Sequence, residues 1–339
     1  MALEFDLIDS FFTPLSQGLS ESEVGIGDDG AVLNMPENHQ LVVVTDTLVS
    51  GVHFPEKTSA YDIAWKALAV NLSDLAAMGA EPCGFSLALT LPENDPVWLE
   101  AFSAGLRNLS ERFKIPLIGG DTTKGPLTIT VTAQGWVPNQ QAVLRSGAKE
   151  GDLVCVTGIL GEGALGLKVA LGLRDESFAN IEFSTAEKDQ ALKALNRPNS
   201  QLAIAPNLRG LANSAIDISD GLLADLNHML KQSTVRSYAS KNRELGAEIE
   251  LTQLPLSSAV KRYVDCTGDW SLPLSGGDDY QLCMTLDEEA YSKLKVLLKE
   301  KDVALTIVGR IVGQKGIRCL NRGVLLADDR TQKSGYSHF

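Results

Sequence analysis

Apolar and polar positions along the chain switch repeatedly between a period near two and a period near 3.6. The switches outline an α/β protein. Gln40–Thr45 is a compact β-branched run and predicts a buried strand. Phe85–Thr90 alternates, and Leu127–Val137 alternates threonine with apolar residues, as a long antiparallel strand does. Leu153–Thr157, Gln281–Leu286 and Leu305–Val312 are further strands. Helical spacing covers Glu4–Phe12, Asp95–Phe113, Ala186–Leu195, Ser200–Ala212 beyond Pro198, and Glu288–Lys299. Ile63–Met78 is apolar almost all round and predicts a buried helix. Ser59 and Asp62 form a capping box at its start, and Gly79 and Pro82 stop it.

That buried helix contains Asp74, one turn from Asn71. An unpaired buried carboxylate costs several kcal/mol or takes up a proton. No Arg lies on its face and Lys66 is more than two turns away, so the pattern calls for a metal ion. Other acids recur at turns and strand ends. Asp28 and Asp29 sit in the glycine-flanked turn Gly25–Ala31, which taken alone reads first as a solvated turn. Asp46 and Asp121 each follow a short apolar strand, the latter after Gly119 and Gly120, which let backbone approach a ligand. Asp217, Ser219 and Asp220 precede a helix; capping accounts for one of the last two and leaves Asp217 unexplained. Asp278 and Asp279 follow Gly276 and Gly277 in a fourth acidic turn. His53, beside Phe54, reads as a packed or exposed loop residue. Gly161–Gly166 matches GxGxxG, but no following strand ends in an acid, so a glycine-rich helix entry is expected rather than a dinucleotide site.

The length of 339 residues suits two domains, with the junction in Arg145–Asp152. A net charge of −13 excludes nucleic acid and anionic membrane as main partners. The 5 cysteines are scattered and never in CxxC, as reduced core residues of a cytoplasmic protein are; no signal peptide or membrane-length apolar run is present. Converging aspartates repel unless cations lie between them. Oxygen-only ligands point to Mg2+, which joins carboxylates to substrate phosphates, and so to ATP. There is no Walker A sequence and no protein-kinase motif set.

GIGDDGA, VTDTLVSGVHF, KALAVNLSDLAAMGAEP, LIGGDTT, RSGAKEGD, NSAIDISDGL and SGGDDYQL occur in this order. With them the chain resembles, from about Phe5 to the terminal GYSHF, the bacterial thiamine-monophosphate kinases of the aminoimidazole-ribonucleotide synthetase superfamily. The resemblance implies two α/β domains with mixed sheets flanked by helices. Residues 1–145 would carry the metal and ATP site and pair across a homodimer; residues 146–339 would complete the ATP and thiamine phosphate sites. It implies ATP-dependent phosphorylation of thiamine monophosphate to thiamine diphosphate, with several Mg2+ ions and K+ left open. By motif, Asp28, Asp29, Thr45, Asp46, Asp74, Asp121, Asp217 and Asp220 are implied metal ligands. Gly120, Asp121, Arg145 and Ser219 would contact ATP, and Asp46, Asp74, Asp121 and Arg145 would carry catalysis. His53, Asp278 and Tyr336 would line the thiamine phosphate site. Asp278 stands where many relatives have Glu, and Gly30 where Ala or Cys is common. A selenophosphate synthetase, the rival within the superfamily, would carry a reactive amino-terminal cysteine, whereas the first here is Cys83. A purine-pathway synthetase, or a nucleotide-binding protein without catalytic activity, would keep the same acidic segments on the same fold.

Overall fold

A computed structural model describes residues 4–172, 181–237 and 244–326. The chain divides into two compact units, residues 1–75 with 80–140 and residues 76–79 with 141–339. None of the described helices is long and apolar enough to cross a membrane.

In the first unit, β1 (His39–Val49), β2 (Glu81–Leu91), β3 (Leu117–Lys124) and β4 (Thr128–Pro138) form a sheet in the order β1-β4-β2-β3. β4 runs antiparallel to both neighbours, and β2 and β3 are parallel. The alternation expected of β4 sorts its faces: Ile129, Val131, Ala133 and Val137 are buried, while the threonines between them are half-exposed. The short helix α1 (Glu4–Leu7) runs on into a π turn at Ile8–Phe12, within the expected helical span. α2 (Ala60–Ala77) and α3 (Pro96–Phe113) supply the apolar cover. Asp95 caps α3 by accepting from the Val97 and Trp98 amides at 2.9 and 3.3 Å. α2 reaches the sheet through Leu75, whose Cδ2 lies 3.1 Å from where a Cβ on Gly135 would be.

The second unit holds β5 (Leu153–Thr157), β6 (Ser214–Asp217), β7 (Gly246–Glu250), β8 (Leu282–Leu286), β9 (Leu305–Val312), β10 (Gly316–Asn321) and β11 (Val324–Leu325). Their order is β11-β10-β7-β9-β5-β8-β6, antiparallel except for the pair β7/β10. Its helices are α4 (Glu162–Ala170), α5 (Thr185–Asn196), α6 (Ala205–Leu208), α7 (Leu222–Ser237), α8 (Ser258–Thr267), α9 (Ser271–Ser275) and α10 (Glu288–Lys299). One core joins the sheet to α7 through Val154, Ile216, Ile249, Leu226 and Met229. A second joins α4, α5 and α8 through Leu165, Ala191, Val260 and Tyr263.

Several expectations change. β1 and β3 do not stop before their aspartates: Asp46 pairs with Val131, and Asp121 with Ala88, inside continuous ladders. Side chain-bonded threonine pairs, Thr45–Thr132 at 3.0 Å and Thr47–Thr130 at 2.9 Å, flank Asp46 and carry β1 past it. The helix expected over Ser200–Ala212 is only a 3-10 turn at Leu202–Ile204 followed by α6. Gln201 enters with φ 53° and Gly210 leaves with φ 70°, left-handed positions that a continuous helix cannot contain. The capping box at α2 is partial: the Asp62 amide donates to Ser59 Oγ, while the Asp62 carboxylate accepts from the Ser59 hydroxyl.

Gly105 of α3 meets α2 closely, since an added Cβ would lie 2.4 Å from the Tyr61 carbonyl oxygen and 2.9 Å from Ala64 Cβ. Helix propensity alone makes Gly105→Ala stabilising by about 1 kcal/mol. The contact with backbone reverses that sign, and a net loss of about 1–3 kcal/mol is expected from overpacking. Urea unfolding of the variant checks this; an unchanged or raised midpoint would contradict the packing.

Candidate active site

The acidic turn Gly25–Ala31 is held by paired amide–carbonyl bonds of 2.9 Å between Val24 and Val32, and the Asp29 amide donates to Asp28 Oδ1 at 2.9 Å. Both carboxylates stay exposed. Beside them the edge strand β3 presents Gly119, Gly120 and the exposed Asp121. These five residues line one pocket of about 460 Å³, closed on its apolar side by Ile8, Phe12, Leu87 and Leu117 and bordered by Asp9. Two sequence segments about ninety residues apart thus line one pocket, with glycine backbone beside their acids.

The other acids of this unit are placed differently. Asp46 shares a sheet face with Val131 and Leu87, whereas Asp121 shares the opposite face with Ala88, Thr130 and Thr47. Thr45 also lies on the open face, its hydroxyl donating to Thr132. Asp74 corrects the premise that made it a metal ligand: it is the one residue from Ala67 to Ala77 that is not buried. Burial alone therefore does not force a cation onto it. The buried oddities of α2 are instead Lys66, 2% exposed, and Asn71, fully buried. Lys66 Nζ donates to the His53 carbonyl at 3.2 Å, and Asn71 Nδ2 to the Ala67 carbonyl at 3.0 Å, leaving Asn71 Oδ1 without a hydrogen-bond partner among the described residues. Lys66 so anchors the loop after β1, where the Val49 amide donates to His53 Nδ1 at 3.0 Å. That acceptor role puts the ring proton on Nε2.

In the second unit, Asp217 ends β6 and is buried. Ser219 and Asp220 do not simply cap α7: Asp225, in its first turn, reaches back and accepts from both of their amides at 3.1 and 3.0 Å. Burial, then the neighbouring charges of Asp217 and Asp220, push the Asp225 carboxyl up to about 8. The half-buried Asp278 donates its amide to the Ser219 carbonyl at 2.9 Å. Next to it the buried Asp279 accepts from the Gly161 amide at 2.9 and 2.8 Å and from the Gly163 amide at 3.3 Å. Burial, outweighing those two amides, pushes its carboxyl up to about 8.

This accounts for the GxGxxG match. Gly161, at φ 85°, starts α4; a Cβ on Gly163 would lie 2.3 Å from the Asp278 carbonyl oxygen, and one on Gly166 2.2 Å from that of Ala191. The helix N-terminus that would hold a pyrophosphate in a dinucleotide fold is taken by a protein carboxylate. A second cavity, of about 430 Å³, opens beside it, lined by Glu162, Lys193, Arg197, Gln201, Asp279 and Gln281 among others. Arg145 is exposed, and Tyr336 lies outside the described residues.

Among the described residues no group of three or more Asp, Glu, His or Cys side chains could hold a metal ion unaided. Mg2+ does not need such a cage, because it takes one or two carboxylates and completes its shell with water and phosphate oxygens. The open pair of acidic segments at the first pocket fits that ion. The described cysteines are free thiols, so no disulfide forms among them. Burial pushes Cys83 and Cys155 up to about 12, which leaves them protonated and poor nucleophiles. Cys266, expected in the core, is exposed on α8, where the apolar stripe of that helix is supplied by Ala259, Val260, Tyr263 and Val264 instead.

The model of the AIR synthase related protein N-terminal domain matches residues 27–137, and that of the C-terminal domain residues 149–320. The thiamine-monophosphate kinase of Escherichia coli K12 is 42% identical over 337 residues, 99% of this chain and 98% of that protein. The chain belongs to the thiamine-monophosphate kinase family. The crystal structure of thiamine-monophosphate kinase from Stenotrophomonas maltophilia K279a superposes with a TM-score of 0.80 at 40% identity, covering 95% of this chain and 98% of that one. A structure described as AaThiL complexed with AMPPCP and TMP superposes at 0.73 with 30% identity, covering 100% and 99%. The chain is thus a thiamine-phosphate kinase with two AIR synthase related domains, and the synthetase readings fall away.

Sequence reasoning gave this thiamine-phosphate kinase its exposed acids but missed Asp225, and it read Asp279 only as part of an acidic turn. Spacing carries a weak signal for both. Asp225 lies in the first turn of a helix, where a carboxylate can turn back to open amides, and Asp279 follows two glycines.

Proposed function

We propose that the chain transfers the γ-phosphoryl group of ATP to the phosphate of thiamine monophosphate, in line and directly, giving thiamine diphosphate and ADP. What carries the reading is the near-full-length similarity to thiamine-monophosphate kinases, spanning both domains. The pocket that joins Asp28, Asp29 and Asp121 to Gly119 and Gly120 supports it. Phosphoryl transfer asks mainly for alignment and charge neutralisation. The acceptor is a phosphate monoester whose second pKa is about 6, so it is largely dianionic at neutral pH and needs no general base. No activated serine or cysteine is then required.

Asp28, Asp29, Thr45, Asp46, Asp74, Asp121, Asp217 and Asp220 are assigned to Mg2+, and the ion supplies neutralisation of the two polyanions. Gly120 and Ser219 contact ATP, its phosphates facing backbone amides where glycine permits close approach. Arg145 brings a permanent positive charge, and its exposure leaves the guanidinium able to reach a phosphate. His53, Asp278 and Tyr336 are assigned to thiamine monophosphate, with the His53 Nε2–H as a donor. K+ is a candidate auxiliary ion. The protein acts in the cytoplasm, where ATP and reduced thiols are available, and as a homodimer paired through the first unit. The open face of that unit's sheet exposes Leu41 and Val43 at 49% and 55%, paired across to Trp136 and Gln134, a pattern suited to cover by a second copy.

Incubation with ATP, Mg2+ and thiamine monophosphate should give thiamine diphosphate and ADP in equal amounts, with no phosphorylated protein trapped during turnover; absence of the diphosphate would refute the reading. Asp121→Asn should lower kcat by about 100-fold or more, the scale of losing one electrostatic element of a transition-state site. Its thermal midpoint should barely move because the side chain is exposed; near-normal turnover would remove Asp121 from the site. Val43→Lys should convert the dimer to monomer in sedimentation equilibrium, and an unchanged mass would place the dimer contact elsewhere.

A further inference from the structure

Two loops of the second unit carry the residues assigned above to ATP and to thiamine monophosphate, and the second of them has unusual backbone. Asp278 and Tyr280 have φ of 61° and 48°, left-handed values that cost non-glycine residues of order 1 kcal/mol or more each. A turn of this kind persists only if its surroundings over-determine it. Three amide–carbonyl bonds lace it to the neighbouring loop: Asp278 to Ser219 at 2.9 Å, Tyr280 to Ile218 at 2.8 Å and Ile218 to Gln281 at 2.7 Å. Gly277 admits this approach, since a Cβ there would lie 2.6 Å from the Ser219 carbonyl oxygen.

Lacing alone would let the two loops move together. Each is fixed to the frame of the domain by one carboxylate. Asp225, 3% exposed and set on α7, takes the Ser219 and Asp220 amides. Asp279, 7% exposed, takes the Gly161 and Gly163 amides at the start of α4. Amides at a helix start have no partner inside the helix, and one oxygen that accepts two of them fixes both donors at once. Both helices are rooted in cores, α7 through Leu226 and Met229 and α4 through Leu165.

We propose that Asp225 and Asp279 are paired positioning residues of the kinase: Asp225 orients the Ser219–Asp220 loop toward ATP, and Asp279 orients Asp278 toward thiamine monophosphate. Neither is a metal ligand or a reacting group. The inference rests on the assignment of the two loops to the two substrates. It implies a separable kinetic signature, because each brace serves a different loop.

The test uses the full-length enzyme with Asp225→Ala and Asp279→Ala, each beside its Asn counterpart. In each brace one carboxylate oxygen takes both amides, so Ala removes the acceptor whereas the carbonyl oxygen of an Asn keeps it. Asp225→Ala should raise KM for ATP about 10-fold with a smaller change in KM for thiamine monophosphate, and Asp279→Ala should do the reverse, a scale typical of residues that orient a ligand-contacting group. The Mg2+ concentration for half-maximal activity at saturating substrates should stay at the wild-type value in both. Kinetics closer to wild type in the Asn forms support the proposal. Wild-type kinetics in a folded Ala variant would overturn it, as would an equal rise in both KM values or a shifted Mg2+ requirement. Loss of cooperative unfolding in an Ala form would overturn it for that residue, leaving a purely folding role. A wild-type enzyme that makes no thiamine diphosphate would instead refute the underlying assignment.

Discussion

A carboxylate drawn out of water must find hydrogen-bond donors or a cation, and this single requirement sorts the acids of the chain. Asp225 and Asp279, both buried, find backbone amides and become parts of the frame. Asp152 does the same, accepting from the Lys149 amide and the Asn213 side chain. Asp28, Asp29 and Asp121 remain exposed along a pocket whose other polar surface is glycine backbone. Acids of the second kind are the ones available to a metal ion carried in with phosphate. The sorting explains how an acidic protein, with a net charge of −13, can bind two polyanions. The acids named here either turn to amides or lie open at the pocket, where a cation between them and a phosphate would offset the repulsion.

The same requirement separates rigidity from chemistry. Groups that hold loops in place do not need to change charge during a reaction. Asp28, Asp29 and Asp121, the acids of the first pocket, keep water within reach on an exposed turn and an edge strand. The glycine-rich start of α4 is instructive in this respect. It has the sequence of a phosphate-binding turn, yet its amides are occupied by Asp279, and its later glycines are required by close backbone contacts with the Asp278 turn and with α5.

Much of this was legible in the sequence where one strong local signal acts. The alternation of β4, the apolar girth of α2 and the Asp95 start of α3 were read to within a residue or a few, because period and capping chemistry are local. The ends of β1 and β3 were not, since an aspartate looks like a stop, whereas the ladder with β4 and β2 carries each strand through it. The Ser200–Ala212 region kept a helical pattern but lost its helix to left-handed backbone at Gln201. Asp74 looked buried from its neighbours; only the packed helix reveals that its position is the partly open one. The braces at Asp225 and Asp279 join segments that spacing alone cannot relate, such as Gly161 with Asp279.

The central claim is that exposed carboxylates bind a divalent cation together with nucleotide phosphate, and calorimetric titration of the full-length protein with AMPPCP tests it most directly. The account predicts saturable binding in the presence of Mg2+ that disappears when EDTA replaces it. It also predicts only weak binding of Mg2+ without nucleotide. Equal nucleotide affinity with and without the divalent ion would contradict it.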